Sequence, residues 1–387
     1  MGRDMARPLQ GTIRRRGGGW QVTICTGRGS DGRYHRRSFT CASEDEAKDK
    51  LLQLNLARRK GELAREHPDS LGAFLDDWLA GVVKPNRAAK TYEHYEMIVR
   101  NHIKPHIGRE RIDRLRPQDV QRFYAELLAG GVSVSMVHHV HRTLRAALSQ
   151  AVQWGYLPAN PAGRITLPRH ETAEMRVLSR EETRGLLATL HDSDKPTARA
   201  LWAPVAVAVT TGLRQGELLA LKWSDIDLKG ACLHVRHTVE EIGVERRLKA
   251  PKTRQSRRTV PLHPDTVAIF REHRRSQDEL RLRLGNLWTD EGFVFPETTL
   301  PRAGRVRSPK ALQHAFRQET RRLGYAGLRF HDLRHTHVTQ LLAAGVPVKD
   351  VATRVGHASA VMTLGTYAHL LPGSQEAAVK ALDGLLG

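Results

Sequence analysis

Four short stretches in the second half of the chain carry polar side chains whose types suit chemistry on an anion. In Thr210-Thr-Gly-Leu-Arg-Gln-Gly-Glu217, Gly212 and Gly216 let the backbone turn tightly on either side of Arg214. Glu217 follows one turn later, where it can hold the guanidinium through a charge-assisted bond. Taken alone, an Arg–Glu pair at this spacing is commonly structural. In His331-Asp-Leu-Arg334-His-Thr, positions i and i+3 share a helix face, so His331 and Arg334 can reach one point. A zinc site through His331 and His335 competes with that reading, but it lacks the glutamate of the metalloprotease motif and an obvious third ligand. Gly356-His357 precedes Thr366-Tyr367-Ala-His369. A tyrosine on an exposed helix is ordinarily plain surface. The basic run from Leu248 to Leu262 reads as a hairpin edge with Lys252 at its tip, which by itself would be a solvated turn.

In this order and spacing, residues 174 to 387 resemble the catalytic domain of the tyrosine recombinases, the phage-integrase family. The resemblance rests on Arg214 in TGLRQGE, Lys252 in PKT, His331 and Arg334 in HDLRHT, His357 after Gly356, and Tyr367 in TYAH. It implies that Tyr367 attacks a DNA phosphodiester and holds the broken strand as a 3′-phosphotyrosine, with Lys252 as the acid that protonates the departing 5′ oxygen. Elementary electrostatics agrees, because the phosphorane carries extra charge that two arginines can bind bidentately in place of metal ions. His331 and His357 would add hydrogen bonds to the same phosphate, His331 being the better candidate to help remove the phenol proton. Glu217 would support Arg214. One ester replaces another, so no ATP is required. No P-loop and no clustered carboxylates are found, and neither a cofactor nor a metal is expected. The family further implies a homo-tetramer on double-stranded DNA attachment sites, integrating and excising a mobile element, with an excisionase or a host DNA-bending protein as possible partner. Two rivals remain. A type IB topoisomerase shares the phosphotyrosine chemistry. A regulator would use residues 336 to 357 as a helix-turn-helix with Gly345 at the turn, which leaves Arg214, Lys252 and Tyr367 unexplained.

These side chains need a scaffold, and the chain divides into three expected segments. Residues 1–65 carry short strands at Gly11 to Ile13, Trp20 to Cys25 and Tyr34 to Cys41, then a helix from about Glu44 to Arg65 behind a Ser43/Glu46 capping box. A small α+β module results, a three-stranded sheet plus one helix, similar to the arm-binding module of integrases. Its nine arginines among the first 40 residues suggest a second DNA contact, through Arg7, Arg14, Arg15 and Arg16. Residues 70–168 are helical. Leu71, Phe74, Leu75 and Trp78 share one stripe after Ser70, and Val120, Phe123, Tyr124 and Leu127 repeat it after Pro117. This segment resembles the SAM-like, core-binding helical bundle of the family. His138, His139, His141, Arg142 and Arg145 are placed on its outer face, with Arg142 and Arg145 as DNA contacts. Asn160-Pro161 and Pro168 to Glu171 read as a linker. Residues 173–387 mix patterns: a capping box at Ser179/Glu182, strands at His234 to Val244 and Thr259 to Leu262, and helices elsewhere. The expectation is a mainly helical α+β domain, the DNA breaking–rejoining fold of the family. The stretch from Gly373 to Leu386 has the pattern of a helix able to dock on a neighbouring subunit.

Composition sets the outer bounds. A length of 387 residues exceeds what one core usually organises. A net charge of +21 calls for a polyanionic partner. Three cysteines, Cys25, Cys41 and Cys232, are too few and too scattered for a disulfide framework. No stretch has the length of a signal peptide core or membrane span, and the longest apolar run, Leu201 to Thr210, is interrupted by Pro204. A soluble, cytoplasmic, DNA-associated bacterial protein is expected.

Overall fold

The computed structural model describes residues 11–28, 34–59, 70–169, 175–250, 257–357 and 359–367. The chain falls into two compact units that part between Glu171 and Thr172. Arg7, Lys252, residues 60–65 at the end of the expected first helix and the stretch from Gly373 to Leu386 lie outside the described residues.

In the first unit, β1 (Thr12–Arg16), β2 (Gly19–Arg28) and β3 (Tyr34–Cys41) pair antiparallel in chain order. Gly17 takes the positive φ that the β1–β2 turn demands. Val22, Cys41, Ala47 and Leu51 form a small core between the sheet and α1 (Glu44–Arg59). Arg14, Arg15 and Arg16 stand exposed on β1.

The rest of this unit is helical: α2 (Leu71–Trp78), α3 (Lys84–Asn86), α4 (Ala89–Ile98), α5 (Lys104–Ile107), α6 (Pro117–Ala129) and α7 (Val134–Gln153). The predicted stripes of α2 and α6 are buried, and Phe74 meets Trp154 and Tyr156 edge-on at 5.9 and 5.8 Å between centroids. Two π turns, Leu79–Val83 and Val99–Ile103, are not legible from periodicity. Each precedes a Lys-Pro pair. Proline would clash with the carbonyl four residues back, and the wider i to i−5 register relieves that clash. His141 corrects the sequence reading: it is buried and hydrogen-bonds Tyr124 Oη through Nδ1 at 3.2 Å, while Arg142 and Arg145 remain exposed. Its position i+4 from Val137 puts it on the core stripe.

The second unit contains α8 (Arg180–His191), α9 (Pro196–Thr211), α10 (Gln215–Ala220), α11 (Pro264–Leu284), α12 (Pro309–Arg322), α13 (Asp332–Ala343), α14 (Val348–Val355) and α15 (Ala360–Tyr367). Its strands are β4 (Ile226–Asp227), β5 (Cys232–Val235), β6 (Thr238–Ile242), β7 (Glu245–Lys249) and β8 (Arg258–Pro261). Helix α9 is buried nearly all round and forms the centre of this core, as an apolar helix without a polar face must. Two strand expectations change. The strand proposed from His234 to Val244 is split between β5 and β6. The strands on either side of the run that contains Lys252 do not pair with each other as a hairpin, because β7 folds back on β6 while β8 pairs with β5. Gly243, with φ 56°, provides the tight β6–β7 turn that takes β7 away from β8. Among the described residues, no helix is long and apolar enough to cross a membrane.

Candidate active site

The site begins where α9 ends. Gly212 caps that helix at φ 67°, a left-handed conformation that suits glycine and reverses the chain into Arg214. Arg214 then sits at the N-cap of α10, and Glu217 reaches back to it. The Arg214 backbone N–H donates to Glu217 Oε2 at 3.0 Å, and Nη1 donates to Oε1 at 2.8 Å. From β8, Arg258 Nη2 and Nη1 donate to the same carboxylate at 2.9 and 3.3 Å. Glu217 is 3% exposed. Burial pushes its pKa up, but the bonds and charges of Arg258 and Arg214 outweigh burial and hold it below the usual carboxylate range.

Helix α13 contributes the second arginine. His331 occupies its N-cap and Arg334 lies three residues on, on the same face. Arg334 is buried, and its Nη1 donates to the Gly212 carbonyl and Nη2 to the Val355 carbonyl, each at 2.7 Å. Arg214 Nη2 donates to the Gly356 carbonyl at 3.0 Å, and Arg258 Nε to the Arg354 carbonyl at 2.7 Å. Three consecutive carbonyls at the end of α14 therefore receive three different arginines. A helix C-terminus leaves carbonyls unsatisfied and carries partial negative charge, so it gathers cations without any ligand. Burial first, and Arg214 next, push the Arg334 pKa down to about 9, which leaves it a cation at neutral pH.

His357 follows Gly356, whose φ of 69° ends α14, and its Nδ1 pairs with Thr363 Oγ1 at 2.7 Å. Tyr367 closes α15. Its ring is buried against Val338, Leu342, Val351 and Val355, and its hydroxyl hydrogen-bonds Nδ1 of His335. The His331 ring meets His335 edge-on, 4.8 Å between centroids. Burial raises the phenol pKa to about 12 against the opposing pull of Arg334. A cavity of about 310 Å³ opens beside His357. Its charged lining, Arg257, Arg258 and Lys349, is wholly cationic.

The sequence pattern of the phage integrase family matches residues 176–373, and that of the family's N-terminal SAM-like domain matches residues 70–128. A tyrosine recombinase XerC-like protein of Caldanaerobacter subterraneus is 31% identical over 95% of this chain and 96% of its own length. The chain belongs to the phage integrase family. As a member of it, the protein is an enzyme that breaks and rejoins DNA. The ICEBs1 integrase of Bacillus subtilis is 25% identical, over 78% of this chain and 79% of that relative. Among solved structures, the Tn1549 transposon integrase in complex with a circular intermediate DNA superposes with a TM-score of 0.68 at 19% identity, covering 82% of this chain and 99% of the other. The lambda integrase dimer bound to a COC′ core site superposes with a TM-score of 0.58 at 17% identity, covering 95% and 96%. These likenesses establish an integrase fold, mostly helical with small sheets, containing a SAM-like domain and a catalytic domain.

In this integrase-family chain, Arg214 and Arg334 converge on the end of α14, Glu217 holds Arg214, His357 follows that end directly, and His331 stands beside Arg334. Sequence reasoning missed two participants. Arg258 lies on the face of β8 that also presents buried Val260, and strand alternation could have shown it pointing inward. His335 enters the sequence reading only as a metal ligand, whereas the structure puts it, rather than His331, at the Tyr367 hydroxyl. It lies one turn further along α13, where α15 packs.

The histidines of this region are built to stay neutral. Burial chiefly, with nearby arginines or histidines, lowers the pKa of His335, His337 and His357 to about 4 each, and burial then Arg334 lower that of His331. An unfolded histidine titrates at about 6.5, so between that pH and about 4 the unfolded chain binds more protons. Stability is therefore full above the unfolded value and is lost as pH falls. Thermal unfolding of the intact protein should show a midpoint several degrees lower at pH 5 than at pH 7. An unchanged midpoint would mean that these imidazoles are not buried neutral.

Proposed function

We propose that the enzyme is a site-specific integrase of a mobile genetic element, with Tyr367 as nucleophile and Arg214 and Arg334 as the grip on the scissile phosphate. The observation that carries this reading is the fixing of both guanidiniums on adjacent carbonyls, Gly356 and Val355. Preorganised donors need no rearrangement as charge grows in the transition state. Tyr367 Oη forms a bond to phosphorus while the bond from phosphorus to the 5′ oxygen breaks. The phenol proton goes to His335 Nδ1, Lys252 protonates the leaving oxygen, and His331 and His357 donate to the phosphate. The ester formed has the energy of the ester consumed, so a 5′ hydroxyl from a second site reverses the step. No metal or cofactor enters.

Relatives that are integrases of ICEBs1 and of transposons favour a mobile-element role. In this reading residues 1–65 form the arm-type DNA-binding module, 70–168 the core-binding domain and 173–387 the catalytic domain. Four copies assemble on two attachment sites, and an excisionase or host bending protein sets direction. The test is a duplex bearing a candidate attachment site with a nick near the cleavage position. Wild-type protein should leave an SDS-resistant protein–DNA adduct and should join two such sites. Relaxation of plasmids lacking any site, without joining, would instead identify a topoisomerase. Exposed Arg14, Arg15 and Arg16 carry a separate expectation. Replacing all three by alanine should weaken binding at distal arm sites and flatten its salt dependence, by about one unit of slope for each phosphate that the arginines no longer neutralise. Unchanged arm-site affinity would remove the case for this module.

A further inference from the structure

We propose that Arg258 is a positioning residue of the cleavage centre, acting on Arg214 through Glu217 and on His357 through the end of α14. The inference rests on the reading that Arg214 grips the phosphate. Arg258 and Glu217 are 6% and 3% exposed, so the pair is largely buried, whereas Arg214 is 36% exposed and open to a ligand. Glu217 spends one oxygen on each arginine principally. Oε1 takes Arg214 Nη1 at 2.8 Å, and Oε2 takes Arg258 Nη2 at 2.9 Å. The carboxylate plane that aims Arg214 is thus set from behind by Arg258. The third nitrogen of Arg258 holds the Arg354 carbonyl at 2.7 Å, two residues before the carbonyl that Arg214 itself holds. Arg258 accordingly braces both ends of the Arg214 fork. It also begins β8, and so ties that strand to the helix end that leads into His357. Only a planar fork with donors on three nitrogens can make these contacts together. Lysine offers one ammonium.

Arg258→Lys is the informative variant, because it keeps a cation beside the buried carboxylate and so preserves folding better than a neutral residue would. A second variant, Glu217→Gln with Arg258→Met, removes both buried charges together and keeps an amide oxygen to accept from Arg214, whose half-exposed guanidinium loses its carboxylate partner. Single-turnover adduct formation is measured on two nicked attachment-site duplexes, one natural and one with a methylphosphonate at the scissile position. Removing the phosphate charge removes much of the value of a well-aimed guanidinium. On the natural duplex, both variants should form adduct at least about tenfold more slowly than wild type, with DNA affinity within about twofold. On the methylphosphonate duplex, their deficit should shrink to within about threefold, as it should for Arg214→Ala. A wild-type rate for Arg258→Lys, or a deficit of equal size on both duplexes, would overturn the positioning role. If Arg214→Ala itself shows no relief on the neutral duplex, the phosphate-grip reading fails, and this inference fails with it.

Discussion

Tyr367→Phe is expected to abolish the covalent protein–DNA adduct while leaving affinity for attachment-site DNA within about twofold of wild type. The substitution deletes one oxygen. The ring that fills the space between Val338, Leu342, Val351 and Val355 is retained, so the packing of α15 on α13 and α14 should survive. Only the hydrogen bond to His335 disappears. No other described hydroxyl pairs with His335, so no bypass nucleophile is prepared there. Loss of a nucleophile that works as one unit with its surroundings lowers turnover by roughly a millionfold in well-studied enzymes, which places any residual adduct below detection. Denaturing gels of nicked duplex read the adduct, and native gels read the binding. An adduct of normal yield in the variant would move the nucleophile elsewhere and undo the assignment of every group around it.

How much of this is legible in the sequence depends on how local the cause is. Arg214 and Glu217 lie within one helical turn, and His331 and Arg334 on one helix face, so spacing along the chain suffices to place them. The cap at Ser179 is local too, with Glu182 accepting from the Ser179 N–H at 2.8 Å. Arg258 is different. Its role depends on β8 pairing with β5, with Pro261 opposite Cys232, a register chosen by tertiary packing rather than by neighbouring residues. The hairpin reading fails for the same reason, since β7 finds a nearer partner in β6. His335 and His141 show the same limit within helices. A sequence tells which residues share a stripe, but not which stripe a later helix will cover. The helix-turn-helix considered for residues 336 to 357 is instructive in another way. Two helices and a Gly345 turn at φ 79° are present. Yet the first carries Arg334 inward, and the last carbonyls of the second are occupied by arginines, so the pair is used to build a site.

Arg334→Ala carries the other large expected effect, and it has two separable parts. The guanidinium has five N–H donors, of which the backbone carbonyls of Gly212 and Val355 take one each, leaving others for a phosphate oxygen. Losing one preorganised donor of this kind costs about 3 kcal/mol of transition-state stabilisation, or roughly a hundredfold in rate. The same change leaves two buried carbonyls without their donors, at about 1–3 kcal/mol each, and should lower the thermal midpoint as well. Arg334→Lys separates the contributions. A lysine ammonium can satisfy one carbonyl and keeps the positive charge, but it cannot span Gly212 and Val355 while facing a phosphate. It should recover most of the stability and little of the rate. Single-turnover cleavage at saturating protein, set beside calorimetry, distinguishes the two. Should Arg334→Ala cleave within about threefold of wild type once folded, the charge that stabilises the phosphorane would have to come from Arg214 alone. The convergence of arginines on the end of α14 would then be a matter of folding rather than catalysis.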